Sequence, residues 1–250
     1  MIGAWIKQYR NDEKKTFKVV LPHYAGDHEG IINFTTENIT SSVTGKKHTA
    51  AEYCARIAGI LAGLSLSRSS TFYVLNDVSS AEVPDDPNER IDAGELILTF
   101  DGSQYKIGRG VNSLTSFTAT KTEDFRKIKI VEGMDLISYF LRTTVQDSWV
   151  GQYPNTYDNK QLLVAYILEY LQELERAGVL NPGESFCEID YDRQLNWLKS
   201  QGVEVSGLTR QQVLEHQTGS WVFIRCGGRL VDAMEDFEVL FNAQTLALAA

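Results

Sequence analysis

The chain has 250 residues and a formal net charge of −9, and 43% of its residues are hydrophobic and 10% aromatic. That length holds one large domain or two small ones, and the apolar share is ordinary for a globular protein with a sizeable core. The acidic balance, with a pI of about 5.0, excludes general nucleic-acid binding, which needs a basic footprint.

In chain order, residues 2–14 read as an amphipathic helix with Trp5, Ile6 and Tyr9 on one side. "TFKVVLP" (16–22) and "GIINFT" (30–35) read as short buried strands, the first stopped by Pro22. Thr49 and Glu52 form a T-x-x-E capping box ahead of a helix with Tyr53, Ile57, Ile60, Leu61 and Leu64 at helical spacing. Gly59 and Gly63 give that helix a thin face where another backbone is expected to pack. "TFYVLNDV" (71–78) reads as a strand, and "VPDDPNER" (83–90) as a loop opening a short helix that reaches Leu96. "LILTFDGSQYKIGRG" (96–110) has the pattern of a hairpin turning at Asp101-Gly102.

The pattern changes around Gly108–Ser116, which predicts a boundary between lobes. Ile130, Met134, Ile137, Leu141, Val145 and Trp149 then form one helical stripe, ended by Gly151 and Pro154. A second helix is expected from about Asp158 to Ala177, with Leu163, Tyr166, Ile167, Tyr170 and Leu174 inward and Gly178 as its left-handed cap. The short connection predicts an antiparallel pair. "SFCEIDY" (185–191) is strand-like, Thr209 and Gln212 cap another short helix, and 220–242 reads as a hairpin around Gly227-Gly228 with a long second arm. The fold class expected is α/β, mixed α+β, in two lobes: a partial layered α/β lobe at 1–110 and an α+β lobe at 111–250 with a terminal arm at about 236–250.

Candidate chemistry is sparse. Cys54, Cys187 and Cys226 are odd in number, far apart in sequence and without CxxC, which fits a reducing compartment better than a disulfide framework. The N-terminal residues lack an apolar signal region, and the longest apolar run, "IAGILAGLSL", is too short to span a bilayer, so a soluble chain made in a cytoplasm is expected. "HYAGDH" brings His23, Asp27 and His28 together, residue types that ligate metal, but at the spacing of no established motif. A small metal-dependent hydrolase using them is the minor enzymatic reading. Glu188/Asp190 and Asp232/Glu235/Asp236 are carboxylate groups able in principle to do acid–base work, although Glu188 and Asp190 alternate as on a solvated strand face. No Walker A, GxGxxG or GxSxG occurs, and "GRG" at 108–110 reads as a tight bend. No cofactor is expected.

Two stretches stand out. Arg126, Lys127 and Lys129 cluster at a helix start, where the macrodipole prefers anions. They call for a partner: an acidic surface on another molecule, or internal pairing with Glu123, Asp124, Glu132 or Asp135. In "DFEVLFN", Phe237, Val239 and Phe241 alternate with Glu238, Leu240 and Asn242, so a terminal strand would carry apolar residues on both faces. Such a strand is either covered within its own fold or donated to another molecule.

Three segments carry a family resemblance: "AWIKQYRNDEKKTFKVVLPHYAGDHEGIINFT", the run from "NSLTSFTATKTEDFRKIKI" to "YDNKQLLVAYILEYLQEL", and "GSWVFIRCGGRLVDAMEDFEVLF". With its FRKI, helix, RTT, D, WVG, Y, N, YDNK order, the middle one is the most specific. Together they resemble the C-terminal half of contractile tail sheath proteins of bacteriophages and phage-derived particles. The resemblance implies a structural subunit without catalysis, assembled in the host cytoplasm into a virion tail or phage-like particle. Subunits would polymerise around a tail tube in rings, expected to be hexameric, and contract to drive the tube through a cell envelope. The implied partners are further copies, the tube protein, and baseplate and tail terminator proteins, with no nucleic acid and no membrane. It also implies exchange of terminal strands between subunits, here by residues 237–242, and docking on tube or neighbour through Arg126, Lys127 and Lys129. A sheath component of a contractile injection or secretion system is the alternative. Family members carry a further portion before "AWIKQYR", so a truncated, separately encoded or divergent short form is expected, lacking one partner of the exchange.

Overall fold

The computed structural model describes residues 1–243. Helix α1 (Ile2–Asn11) precedes strands β1 (Val19–Pro22) and β2 (Ile31–Phe34), which pair in parallel. β3 (Ile39–Ser41) and β4 (Lys47–His48) form an antiparallel pair before α2 (Ala50–Gly63). β5 (Val78–Ser80) pairs with the other side of β3. After α3 (Pro87–Asp92), β6 (Glu95–Leu96) joins β2 in parallel. β7 (Leu98–Phe100) and β8 (Tyr105–Ile107) make the hairpin at Asp101-Gly102. Phe34, Ile39, Ile57, Leu75, Leu96, Leu98 and Ile107 fill the core between these sheets and α2.

The capping box of α2 forms as read: the Glu52 N–H donates to Thr49 Oγ1 at 3.3 Å, and the Thr49 N–H to Glu52 Oε2 at 3.2 Å. The thin face does not find a backbone, because nothing lies within 4 Å of a Cβ placed on Gly59 or Gly63. Residues 71–77 are not a strand either; only Val74 bridges, to Lys106, before β5 begins at Val78. Helix α3 stops at Asp92, short of Leu96, which is committed to β6.

A 3-10 turn (Glu123–Arg126) leads into α4 (Ile128–Thr144), which continues as a π turn (Val145–Trp149). Helix α5 (Tyr157–Arg176) runs back beside it: Phe140 stacks on Tyr170, and Val145 and Trp149 lie with Lys160 and Leu163. Leu163, Ile167 and Leu174 face the core, whereas Tyr166 is 46% exposed rather than inward. Gly178, at φ +71, ends α5 in the left-handed conformation that a Cβ would strain. β9 (Phe186–Ile189), α6 (Tyr191–Ser200), α7 (Arg210–Glu215) and β10 (Ile224–Gly227) complete the described elements. β10 pairs antiparallel with β9, not with a following arm, so the hairpin expected at Gly227-Gly228 is not formed. The chain instead passes Gly228 to bridge Leu230 with Leu180.

Polar contacts join the two halves. Arg10 of α1 grips Asp135 of α4 with two hydrogen bonds of 2.9 Å, and Lys18 adds an ion pair at 2.6 Å to the same carboxylate. Gly30 leaves the space in which the Arg10 stem lies. Beside it His28 is 4% exposed and accepts the Gly30 N–H at Nδ1, 3.0 Å away.

Thr49→Ala removes the cap and lowers unfolding free energy by about 1 kcal/mol, read as a lower urea midpoint at unchanged slope. Burial, with smaller contributions from nearby cations, holds His28 below its ordinary value of 6.5. The unfolded chain therefore takes up this proton at higher pH than the folded chain. The contribution of neutral His28 is complete above pH 6.5 and is lost as pH falls from there through the folded value. Urea unfolding between pH 7 and 5.5 is expected to show a smaller loss of stability in His28→Gln than in the parent.

Candidate assembly interface

The basic cluster and the last described segment meet. Arg126 lies at the end of the 3-10 turn, Lys127 is the N-cap of α4 and Lys129 sits in its first turn. Lys127 pairs with Asp232, and Lys129 donates to the Val231 carbonyl. Arg126 turns the other way, donating to the Ile91 carbonyl and pairing with Asp92 at 3.6 Å. None of these is the internal pairing expected with Glu123, Asp124, Glu132 or Asp135. Lys129 is 8% exposed, and burial lowers its pKa. In this conformation it is a buried donor to backbone rather than a surface cation. A helix N-terminus has no spare carbonyls for cations, so Lys127 and Lys129 draw their acceptors from the chain passing over them.

That chain is then clamped. Val231 N–H donates to the Val179 carbonyl at 2.9 Å. The Glu235 side chain is 8% exposed and accepts from Ser69 Oγ (2.5 Å), Thr71 Oγ1 (2.6 Å) and Arg109 Nε (3.3 Å). Arg109 reaches Asp236 with its other arm. The "GRG" bend is thus a docking point for the segment, and Asp232, Glu235 and Asp236 are its anchors rather than an acid–base set. Ser69, Thr71 and Arg109 were not singled out in the sequence; three carboxylates directly before an apolar run were the available signal.

Beyond the clamp the side chains leave the protein. Phe237 is 74% exposed, Val239 81%, Leu240 86% and Phe241 85%, and residues 236–243 form no strand. Among the described residues the expected strand 237–242 is therefore not formed, and no described element covers it. Residues 244–250 of the expected arm lie outside the described residues. Nearby, β9 and β10 form a sheet of their own, and no described strand pairs with either outer edge. Cys187, Ile224 and Cys226 pack on the core of α5, while Glu188 and Arg225 pair on the outer face.

The remaining candidates do not converge. His23 contacts Glu37 at 2.7 Å, and His28 is turned inward. Asp27, at φ 45, accepts the Thr115 and Ser116 N–H groups at 2.8 and 2.9 Å. Those backbone bonds hold its carboxyl down at about 2. Each of the three therefore serves a different local contact. A groove of about 740 Å³ lies between the π turn and Trp221, with Lys160 beneath it bonded to Thr218 Oγ1 at 3.0 Å. Among the described residues no group of three or more metal-ligating side chains forms, and no helix is long and apolar enough to cross a membrane.

Glu235→Ala leaves two hydroxyls and a guanidinium without their acceptor. A loss of about 2 kcal/mol in local docking is expected, which is roughly a thirtyfold faster hydrogen exchange at the Val231 amide, with the core amides of α5 unchanged.

Residues 120–244 match the Phage tail sheath C-terminal domain family. Over 240 residues the chain is 37% identical to the tail sheath protein of Clostridium phage phiCD119, an alignment spanning 95% of this chain and 66% of that protein. It is 32% identical over 187 residues to the phage-like element PBSX protein XkdK of Bacillus subtilis, covering 70% of this chain and 40% of the relative. Its fold is similar to that of the sheath tail protein of Desulfitobacterium hafniense, at TM-score 0.68 and 25% identity over 76% of this chain and 46% of that one. The contracted helical sheath of the anti-feeding prophage shares the fold at TM-score 0.65 and 15% identity, over 96% of this chain and 64% of that one. The chain thus spans just under two thirds of the phage relative and less than half of XkdK and the Desulfitobacterium protein. On the matched domain and the identity to the phage protein, the chain belongs to the phage tail sheath family.

Proposed function

We propose that this chain forms the C-terminal, tube-proximal part of a contractile tail sheath subunit, with lobes at 1–110 and 111–250. Copies polymerise around a tail tube, hold the energy of assembly in an extended state, and shorten on a baseplate signal to drive the tube through a cell envelope. Its work is mechanical, supplied by intersubunit contacts rather than by a reaction at a site. The particle is a virion tail or phage-like tail, assembled in the host cytoplasm in hexameric rings, with a tube, a baseplate and a terminator as partners.

One observation carries this reading: the chain is clamped at Asp232, Glu235 and Asp236 and then presents Phe237, Val239, Leu240 and Phe241 to solvent. Large apolar side chains on both sides of an extended segment are costly in water and stable between the strands or faces of a partner. The β9–β10 sheet has the same need from the other side, since its outer edges lack described partners. Residues 237–242 of one copy adding to the β9–β10 sheet of the next satisfies both. Backbone hydrogen bonds made in this way survive rotation of one body against another, as contraction requires. Lys127 and Lys129 act in assembly through the root of the segment, whose exit direction they set, while Arg126 anchors the same helix start to the Ile91 carbonyl and Asp92.

Val239→Asp with Phe241→Asp places charge in the exchanged strand. The doubly substituted chain should keep its thermal midpoint, because exposed positions away from packing change stability by less than about 0.5 kcal/mol. Polymers seen by electron microscopy beside the tube protein should be lost. Wild-type-like polymers from this variant would refute strand exchange, and an unchanged parent that stays monomeric beside its tube would refute the sheath reading.

A further inference from the structure

Cys187 on β9 and Cys226 on β10 oppose each other directly in the antiparallel ladder. The Asp190 N–H donates to the Phe223 carbonyl at 2.9 Å, which makes that neighbouring couple a hydrogen-bonded pair. Bonded and non-bonded pairs alternate along an antiparallel ladder, so Cys187 and Cys226 occupy a non-bonded one. There the Cα atoms approach to about 4.5 Å, inside the range of roughly 4.4–6.8 Å that a disulfide spans. Both side chains lie half-buried on the face turned toward α5, and both are free thiols. The nearness of the two thiols draws Cys226 down and pushes Cys187 up, since a thiol beside a thiolate stabilises it. The third cysteine, Cys54, is buried in the other core, and burial pushes its thiol up to about 11.

We propose that Cys187 and Cys226 are a disulfide site, closed by exchange with a low-molecular-weight disulfide such as oxidised glutathione. The Cys226 thiolate attacks one sulfur of the small disulfide, breaks its S–S bond and releases one small thiolate, which takes up the proton of Cys187. The Cys187 thiolate then attacks the Cys226 sulfur of the mixed disulfide and releases the second small thiolate, which takes a proton from water. Two protein thiols are oxidised and one small disulfide is reduced to two thiols. The covalent bond ties β9 to β10 across the segment that carries α6 and α7, so the two strands cannot peel apart. The site depends only on the register of β9 and β10 and stands apart from the sheath assignment.

The test treats the folded chain with oxidised glutathione at about pH 8, near the ordinary thiol pKa, then alkylates it in denaturant. Of the three thiols, one should remain reactive and should map to Cys54. The intact mass should fall by two hydrogens, a non-reduced digest should link Cys187 to Cys226, and the thermal midpoint should rise and return on reduction. In Cys187→Ser the second exchange has no attacking thiol, so a stable glutathione adduct on Cys226 is expected. Three reactive thiols after treatment of the parent, a parent that stops at the adduct, or linkage of Cys54 to either cysteine would each overturn the proposal.

Discussion

The clamp on Glu235 decides how the last described segment leaves the protein. A carboxylate with an 8% exposed side chain is stable only with its charge and lone pairs answered, and here two hydroxyls and a guanidinium answer them. Those partners come from the loop before Leu75 and the bend after β8, in the first half of the chain. The backbone just upstream is held by Val179 and Lys129, from the second half. One short segment is thereby fastened to both halves. The described residues after Asp236 are left outside either core.

That arrangement separates two kinds of apolar side chain. Leu163, Ile167, Leu171 and Leu174 are buried between α4, α5 and the β9–β10 sheet, and hold the second half together. Phe237, Val239, Leu240 and Phe241 contribute nothing to that core. Their exposed apolar area is available to an intermolecular contact, which suits the proposed role in assembly. The Arg10–Asp135–Lys18 contacts do the complementary task inside the chain. They are charge-assisted hydrogen bonds with specific geometry, and they fix α4 against α1 so that pull on one half reaches the other.

Much of the local structure was legible because its causes are local. The capping box at Thr49, the hairpin at Asp101-Gly102, the left-handed cap at Gly178 and the two long helices each follow from residues a few positions apart. Of the strand expected at 71–78 only Val78 lies in one, as the start of β5; within 71–77 the residues have strand propensity, but Val74 alone bridges, to Lys106. The hairpin expected at Gly227-Gly228 failed for a related reason. After Gly228 the chain leaves β10 to bridge Leu180 and to receive the Lys129 ammonium, contacts remote in sequence.

The sequence by itself determined the class of elements, the mixed α+β character, the family, and the anomaly of an apolar, alternating C-terminal run. Each is written in spacing or in composition over short distances. Only the tertiary structure decided what the charges do. Arg126, Lys127 and Lys129 were visible as a cluster, but their partners Asp92, Asp232 and the Val231 carbonyl are remote in sequence or hidden in backbone. The same holds for Cys187 and Cys226, distant along the chain and opposed across a ladder. Long-range pairing depends on register and on which groups are left unsatisfied after the helices and strands have formed, and neither has a signature in a local window.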